Sequence, residues 1–429
     1  MAQGDRPLLG SIRDRARRRL ASLVIGAMGV IVIGVVIVTV LFLTGEFDPA
    51  DPQPAPTDLP IATPTVAPAT PTAIATPVDD EPEYPSGSLP GMLALAPDRI
   101  DDDDTGLPIE ATWADLATWF ALIGVDPATA EAAELEAAMA PLELPGVLRT
   151  RGLSDDWRNI YGFSVRDVQQ VITIGHAPDQ IVIMRGDFEP DNLYDTWVRN
   201  GYFAVEVEET TIWSLFPGDR IDLSAPASRP ALGLLNNIMV IGDDMIVASA
   251  RQSGMVDFLR VANGDAAPLL AHDDLEQAVA LWEPSGFPVT AILADGTILE
   301  VPASGTDDEP DASEGTAVAT PLANAPLPEV EMVLFGVVPG EDDPTATRMR
   351  AVMLYDGEPD DLASVPPVVK ARAEKQADWA DRYRLESVEL VGADRDMIEV
   401  VISRTGSPAP WSRMIEDRDL EPLNWSAEE

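Results

Sequence analysis

Asp187-Phe188-Glu189-Pro190-Asp191-Asn192-Leu193 returns further along the chain as Asp356-Gly357-Glu358-Pro359-Asp360-Asp361-Leu362. Each copy follows a short apolar run, Ile181 to Met184 in the first case and Ala351 to Tyr355 in the second. Each also holds proline where the first turn of a helix tolerates one, so both copies read as strand-to-helix turns. Upstream, Val171-Ile172-Thr173-Ile174-Gly175 parallels Met332-Val333-Leu334-Phe335-Gly336. Downstream, Asp244-Met245-Ile246 through Ser249 parallels Asp396-Met397-Ile398 through Ser403, and a short helical stretch follows each. Matching elements in the same order predict a duplicated β-β-α-β-β-α module. The fold class is α+β with mainly antiparallel sheets, because strands joined by short turns pair antiparallel.

Within the first module, Val171 to Ile174 and Ile181 to Met184 flank a turn at Pro178-Asp179 and read as a hairpin. The helix after the first acidic motif places Leu193, Trp197 and Val198 on one face and closes at Asn200-Gly201. Strands are expected at Tyr202 to Val207, Ile212 to Phe216, Ile238 to Ile241 and Met245 to Ser249, then helices at about 252–262 and 273–283. Ahead of the module, Trp113, Leu116, Trp119, Phe120 and Ile123 recur at helical spacing and predict a helix over Thr112 to Ile123. A second helix is expected over Pro127 to Met139, with Asp126 as its N-cap. These helices and the first module make up residues 91–284, and the second module makes up 285–429. Residues 303–328 are polar and Pro-rich, and are expected to be a disordered insert in the second module.

Leu20 to Leu43 contains no charge and no proline. As a helix it would reach about 36 Å, enough to cross a hydrocarbon core of about 30 Å. Arg13, Arg15, Arg17, Arg18 and Arg19 precede it, whereas Glu46, Asp48 and Asp51 follow. That asymmetry predicts a cytoplasmic tail at 1–19, a transmembrane helix at 20–43 and an extracytoplasmic remainder. A cleavable signal peptide is the rival reading, but its apolar region is shorter, so a retained single-pass anchor in the cell membrane is expected. Residues 44–90 are dominated by Pro, Thr, Ala and Asp and predict an extended, disordered linker.

The chain has no Cys, which excludes disulfides, thiolate chemistry and a lipid-modified N-terminal Cys. A net charge of −45 repels nucleic acid and anionic lipid. The partners expected are therefore the membrane, through Leu20–Leu43, and a protein or cell-wall polymer, with no nucleic acid. Lysine occurs only at 370 and 375 while arginine is common, a bias that fits a GC-rich genome or a salt-adapted acidic surface.

The repeated motif offers carboxylates for chemistry. Asp187, Glu189 and Asp191, with Asp356, Glu358 and Asp360, could form the paired acids of a glycoside hydrolase or hold a divalent cation. The same residues also suit a helix start, with Glu189 and Glu358 at the N-cap and acids beside the positive end of the dipole; this capping role is the expected one. Asp101 and Asp103, with Thr105 and Gly106, begin a calcium-loop pattern, but its twelfth position is Thr112 rather than a bidentate acid, so a solvated turn is expected. His176 and His272 are the only histidines, and neither lies in a nucleophile or zinc-protease motif. No phosphate-binding glycine loop is present, and no cofactor is expected.

Tyr161-Gly162-Phe163 with Val168, Arg185-Gly186-Asp187-Phe188, Asn200-Gly201-Tyr202 and the helix start Leu270-Ala271-His272-Asp273-Asp274-Leu275 resemble bacterial single-pass membrane-anchored extracytoplasmic proteins of unknown function. The resemblance implies the same location and supplies no catalytic residue. Three readings follow: a non-enzymatic envelope module that binds something at the cell surface, a carboxylate-dependent hydrolase or cation-binding domain, and a salt-adapted spacer. The first is preferred, since the motifs of common enzyme classes are missing.

Overall fold

Strands dominate the chain from Ile109 onward, and they join a single antiparallel sheet. The structure is a computed structural model that describes residues 84–85, 87–98, 109–282, 288–300, 321–340, 343, 346–355, 362–392, 396–404, 411, 414 and 420–424. The strands are β1 Ile109–Asp115, β2 Val168–Ile174, β3 Ile181–Gly186, β4 Phe203–Val207, β5 Thr210–Ser214 and β6 Asn237–Ile241. They continue as β7 Met245–Ser249, β8 Thr290–Asp295, β9 Met332–Val338, β10 Arg348–Leu354, β11 Tyr383–Val391 and β12 Met397–Arg404. Among the described residues the α-helices are α1 Leu89–Leu93, α2 Leu116–Ile123, α3 Ala132–Met139, α4 Gly146–Arg151 and α5 Asp155–Tyr161. They are followed by α6 Pro190–Arg199, α7 Gln252–Ala262, α8 Asp273–Ala280, α9 Val365–Lys375 and α10 Ala377–Ala380.

The twelve strands lie in the order β11-β12-β10-β9-β8-β1-β2-β3-β7-β6-β5-β4. β1 and β8 meet antiparallel in the middle. Reading outward from β1 gives β1-β2-β3-β7-β6, and reading outward from β8 gives β8-β9-β10-β12-β11, the same succession. The β4-β5 hairpin extends the first half beyond β6. β3, β7 and β8 are buried on both faces and accordingly read as unbroken apolar runs. The edge strands β4 and β11 instead expose residues along their length, Glu206 on one and Arg384, Glu386 and Glu389 on the other.

The two faces differ in their cover. On one, Trp113, Ile172, Ile183, Val247 and Met239 pack with Met255, Phe258 and Leu259 of α7 and Leu275, Ala278 and Val279 of α8. On the other, the first half packs beneath Leu116, Leu135, Leu148, Trp157 and Trp197 of α2 to α6. The second half of that face buries Phe335, Met353, Ile398 and Val400 with Val365, Val368 and Val369 of α9, together with Trp411, Met414, Leu420 and Leu423.

Pair registers tie the halves together residue by residue. Trp113, Ile172, Ile183, Val247 and Met239 form one row across β1, β2, β3, β7 and β6. Leu293, Leu334, Val352, Glu399 and Glu389 form the matching row across β8, β9, β10, β12 and β11. The outer positions are thus apolar in one half and acidic in the other. Glu399 accepts from Arg350 Nε at 2.8 Å and Nη2 at 2.5 Å, and the Arg350 guanidinium lies 5.9 Å from the Trp282 ring centre.

Several expectations need correction. Thr112 to Asp115 belong to strand β1, and the helix starts only at Leu116, where the Asp115 carboxylate accepts from Thr118 N at 3.0 Å. A central strand buried on both faces has no period-two alternation, so its apolar residues merged with those of the helix behind it. α3 starts at Ala132 rather than Pro127, and Asp126 instead closes a turn by accepting from Ala128 N and Thr129 Oγ1. Val198 is 55% exposed, while Leu193 and Trp197 are buried. Ile183 and Val352 are matched by the acidic motif, and their strand partners are Ile172 and Leu334. The sequence alignment of β2 with β9 is therefore one residue out, which exchanges the faces.

The folded part also begins ahead of residue 91. Ser88 caps α1 by accepting from Gly91 N at 3.2 Å, Leu89 is buried, and Tyr84 donates to Glu276 at 3.3 Å. At the end of the expected insert, Pro321–Asn324 form a 3-10 turn, and Ala323 and Leu327 are buried. The rest of the insert, the tail at 1–19, the Leu20–Leu43 segment and most of the linker lie outside the described residues. Among those described, no helix is long and apolar enough to cross a membrane.

Candidate functional site

α5 is started by Ser154, whose hydroxyl accepts from Trp157 N at 3.2 Å, and stopped by Gly162 in a left-handed conformation at φ 83°. A Cβ at Gly162 would sit 2.9 Å from Leu193 Cδ2, so the absent side chain is what lets α5 end against α6. Trp157, Tyr161, Phe163 and Phe188 stack edge to face and fix the joint between them. A capping box then turns the chain into β2, with Ser164 N donating to Asp167 Oδ2 at 2.7 Å.

The acidic motif is held from both sides through its backbone. Asp187 N donates to Asp167 O at 3.0 Å, and Phe188 N donates to Asp243 O at 3.3 Å. Gly186 is required for this, since a Cβ there would overlap the Asp167 carbonyl. Phe188 turns into the core, and Asp187 and Glu189 are exposed. Glu189 occupies the N-cap of α6 and Pro190 its first turn, as the spacing predicts, but the Glu189 side chain makes no capping hydrogen bond. Neither the Asp187 nor the Glu189 carboxylate has a hydrogen bond or ion pair among the described residues.

These carboxylates line a groove of about 460 Å³ between α5 and α6. Phe163, Phe188 and Leu193 form its floor, and Arg158, Asn159 and Asp167 line one wall. Glu189, Asn192, Thr196 and Arg199 recur at helical spacing along α6 and form the other. The groove is therefore charged at both ends of α6, negative at the first turn and positive at the last. Arg199 Nη2 donates to Thr196 Oγ1 at 3.1 Å; Arg158 Nη2 donates to Ser164 Oγ at 3.1 Å and lies 3.8 Å from Asp167 Oδ2.

Behind the groove, two phenols tie the long β5–β6 connection to this helical layer. Tyr161 donates to Ala227 O at 2.8 Å and accepts from Ala231 N at 3.1 Å, while Tyr202 donates to Leu235 O at 2.7 Å. Burial pushes both phenols above the ordinary tyrosine range, so they remain neutral donors.

Of the sequence-predicted acids, Asp187 and Glu189 are together in the groove, and Asp191 is exposed on α6 without lining it. Asp101, Asp103, Asp356, Glu358 and Asp360 lie outside the described residues. The strands leading into the two motifs are β3 and β10. They are five steps apart in the sheet, about 24 Å at the usual strand spacing, and they run antiparallel, so they end at opposite rims. His272 precedes α8 without capping it. Among the described residues, no group of three or more His, Asp or Glu could hold a metal ion. Sequence reasoning missed Arg158, Asn159, Asp167, Thr196 and Arg199. The stripe from Glu189 to Arg199 was visible as polar residues at helical spacing, but its meeting with α5 is a tertiary contact with no local signal.

No known family model and no curated protein matches the chain. Among solved structures the chain is similar to one described as crystal form IV of TP0453, at 8% identity and a TM-score of 0.32, over 76% of this chain and 99% of that one.

Proposed function

We propose that the chain is a single-pass membrane-anchored protein whose extracytoplasmic part is a non-enzymatic binding module, with the α5–α6 groove as its ligand surface. The observation that carries this reading is the pair of carboxylates, Asp187 and Glu189, that have no partner among the described residues and open into a groove that also presents Arg158 and Arg199. Charged groups left without internal partners around a concave surface are available to a ligand. The anchor rests on the uncharged run Leu20–Leu43 and the arginines before it. We also read residues 91–284, which add N-terminal helices, and 285–429, which add the insert at 303–328, as each containing one copy of a β-β-α-β-β-α module, supported by the matching strand succession on either side of the β1–β8 pair. The partner is a protein or cell-wall polymer, and the charge of −45 weighs against nucleic acid.

The alternative, a carboxylate-dependent hydrolase or divalent-cation site built from both motifs, is less favoured. A glycosidase pair stands within about 10 Å, whereas β3 and β10 lead to opposite rims of the sheet. A general acid also needs burial to hold its proton, and Asp187 and Glu189 are exposed.

The test is retention of the detergent-solubilised full chain on insoluble cell-wall material and on immobilised envelope proteins, with Arg199→Gln compared in parallel. The reading expects retention of the wild type and at least a tenfold loss in the variant. Equal retention of both, or none of either, would overturn it.

A further inference from the structure

We infer that the α5–α6 groove binds a short zwitterionic peptide, its ammonium end at Asp187 and Glu189 and its carboxylate end at Arg199; this rests on the reading of the groove as the ligand surface. Along the α6 wall the charge changes sign from Glu189 to Arg199, while on the facing wall Arg158 lies 3.8 Å from Asp167 Oδ2. Glu189 stands at the first turn of α6 with Asp187 beside it, and Arg199 stands at the last. Ten residues of helical rise separate the backbones of Glu189 and Arg199, about 15 Å, the upper limit of the span, since the Arg199 guanidinium turns back to Thr196 Oγ1. An extended peptide advances about 3.3 Å per residue, so a tetrapeptide with its charged termini matches that span.

The chemistry at each end agrees. Asp187 and Glu189 accept hydrogen bonds and have no donor among the described residues, which suits an ammonium group. Arg199 spends one donor on Thr196 Oγ1 and keeps others for a carboxylate. Asn192 on the α6 wall, and Asn159 beside the end of that helix, where its backbone carbonyl accepts from Asn200 Nδ2, offer amides that can pair with a peptide backbone without reading its side chains. Phe163, Phe188 and Leu193 on the floor are largely buried in the core and leave no flat aromatic face for stacking a sugar or base. A volume of about 460 Å³ is in the range of small-ligand sites.

The experiment is isothermal titration of the full chain with tetra-alanine carrying free termini, and with its N-acetylated, C-amidated and doubly blocked forms. Free tetra-alanine should bind, and blocking either end should weaken it about tenfold or more, as for the loss of a charge-assisted hydrogen bond. In Asp187→Asn/Glu189→Gln, acetylation should no longer matter while amidation still does; in Arg199→Gln the pattern should reverse. Equal melting temperatures would show that these variants fold. Equal affinity for free and doubly blocked peptide, acetylation sensitivity that survives the carboxylate variant, or no heat from any peptide at millimolar concentration would overturn the inference. If the free peptide fails while retention on cell-wall material still depends on Arg199, the peptide assignment falls and the binding-module reading stands. If Arg199→Gln leaves retention unchanged, that reading falls as well.

Discussion

The β1–β7 and β8–β12 halves of the sheet share a strand succession but not a surface. In register, Val247 corresponds to Glu399, Met239 to Glu389 and Ile181 to Arg350. The first member of each pair lies under α7 or beside it, packed with Met255, Phe258 and Leu259. In the second half, the helices packed against β11 are α9 and α10, whose apolar residues belong to the opposite face. One backbone plan therefore supports a dry face and a wet one, and the covering helix determines which residues each row can hold.

The comparison breaks most sharply at Val247. Val247→Glu should cost about 4 kcal/mol or more, because the charge would be buried beneath α7 with no partner, and urea denaturation followed by tryptophan fluorescence reads the loss. The converse change, Glu399→Val, should cost only about 2 kcal/mol, the loss of the charge-assisted hydrogen bonds that Arg350 donates to it, where the two side chains are 14% and 17% exposed. Arg350→Met/Glu399→Val should recover most of that loss, as apolar replacements of half-buried ion pairs often do. If Val247→Glu is tolerated, α7 does not define the difference between the halves.

Alkaline pH should weaken both halves through different tyrosines. Burial raises Tyr161 and Tyr202 in the first and Tyr355 in the second. A raised folded pKa means that the fold holds the neutral phenol. Stability is then complete below the unfolded pKa of about 10 and falls as pH rises above it, by up to about 1.4 kcal/mol per pH unit for each group. Urea midpoints between pH 8 and 11 should decline, and Tyr161→Phe or Tyr355→Phe should make the decline shallower. A midpoint flat across that range would contradict the burial of all three.

The smallest expected effects separate a true cap from a groove carboxylate. Ser154→Ala removes a hydrogen bond to Trp157 N and should cost about 1 kcal/mol. Glu189→Ala removes none and should stay within about 0.5 kcal/mol. Equal losses in the two variants would return Glu189 to a capping role.

Sequence patterns located the elements that have one wet side or a punctuated end. β2, β3, β6, β7, β9 and α6 to α8 emerged from turn residues such as Pro178-Asp179 and Gly242-Asp243-Asp244 and from apolar spacing. β1 was merged with α2, and β8 passed unnoticed, because Ile109–Asp115 and Thr290–Asp295 lie at the centre of the sheet, between two apolar layers. The one-residue slip between β2 and β9 has a related origin. Short, mostly apolar runs align almost as well in either register, and only the cross-strand partners of Ile183 and Val352 decide. At the groove, Asp187 and Glu189 were singled out by repetition, but their freedom from the cap depends on a side-chain orientation that spacing does not encode.

The central β1–β8 pair also bears on how the chain comes together as it is made. Trp113 pairs with Ala291, so the two middle strands are contributed by segments on either side of the whole first half. During synthesis β1 can pair with β2 as soon as the first hairpin has emerged, but its other edge stays open until Asp295 has followed. Pairing across so long a loop is slow relative to hairpin closure. The nascent first half thus keeps an apolar strand edge unpaired until β8 has followed, the kind of edge that other strands can pair with.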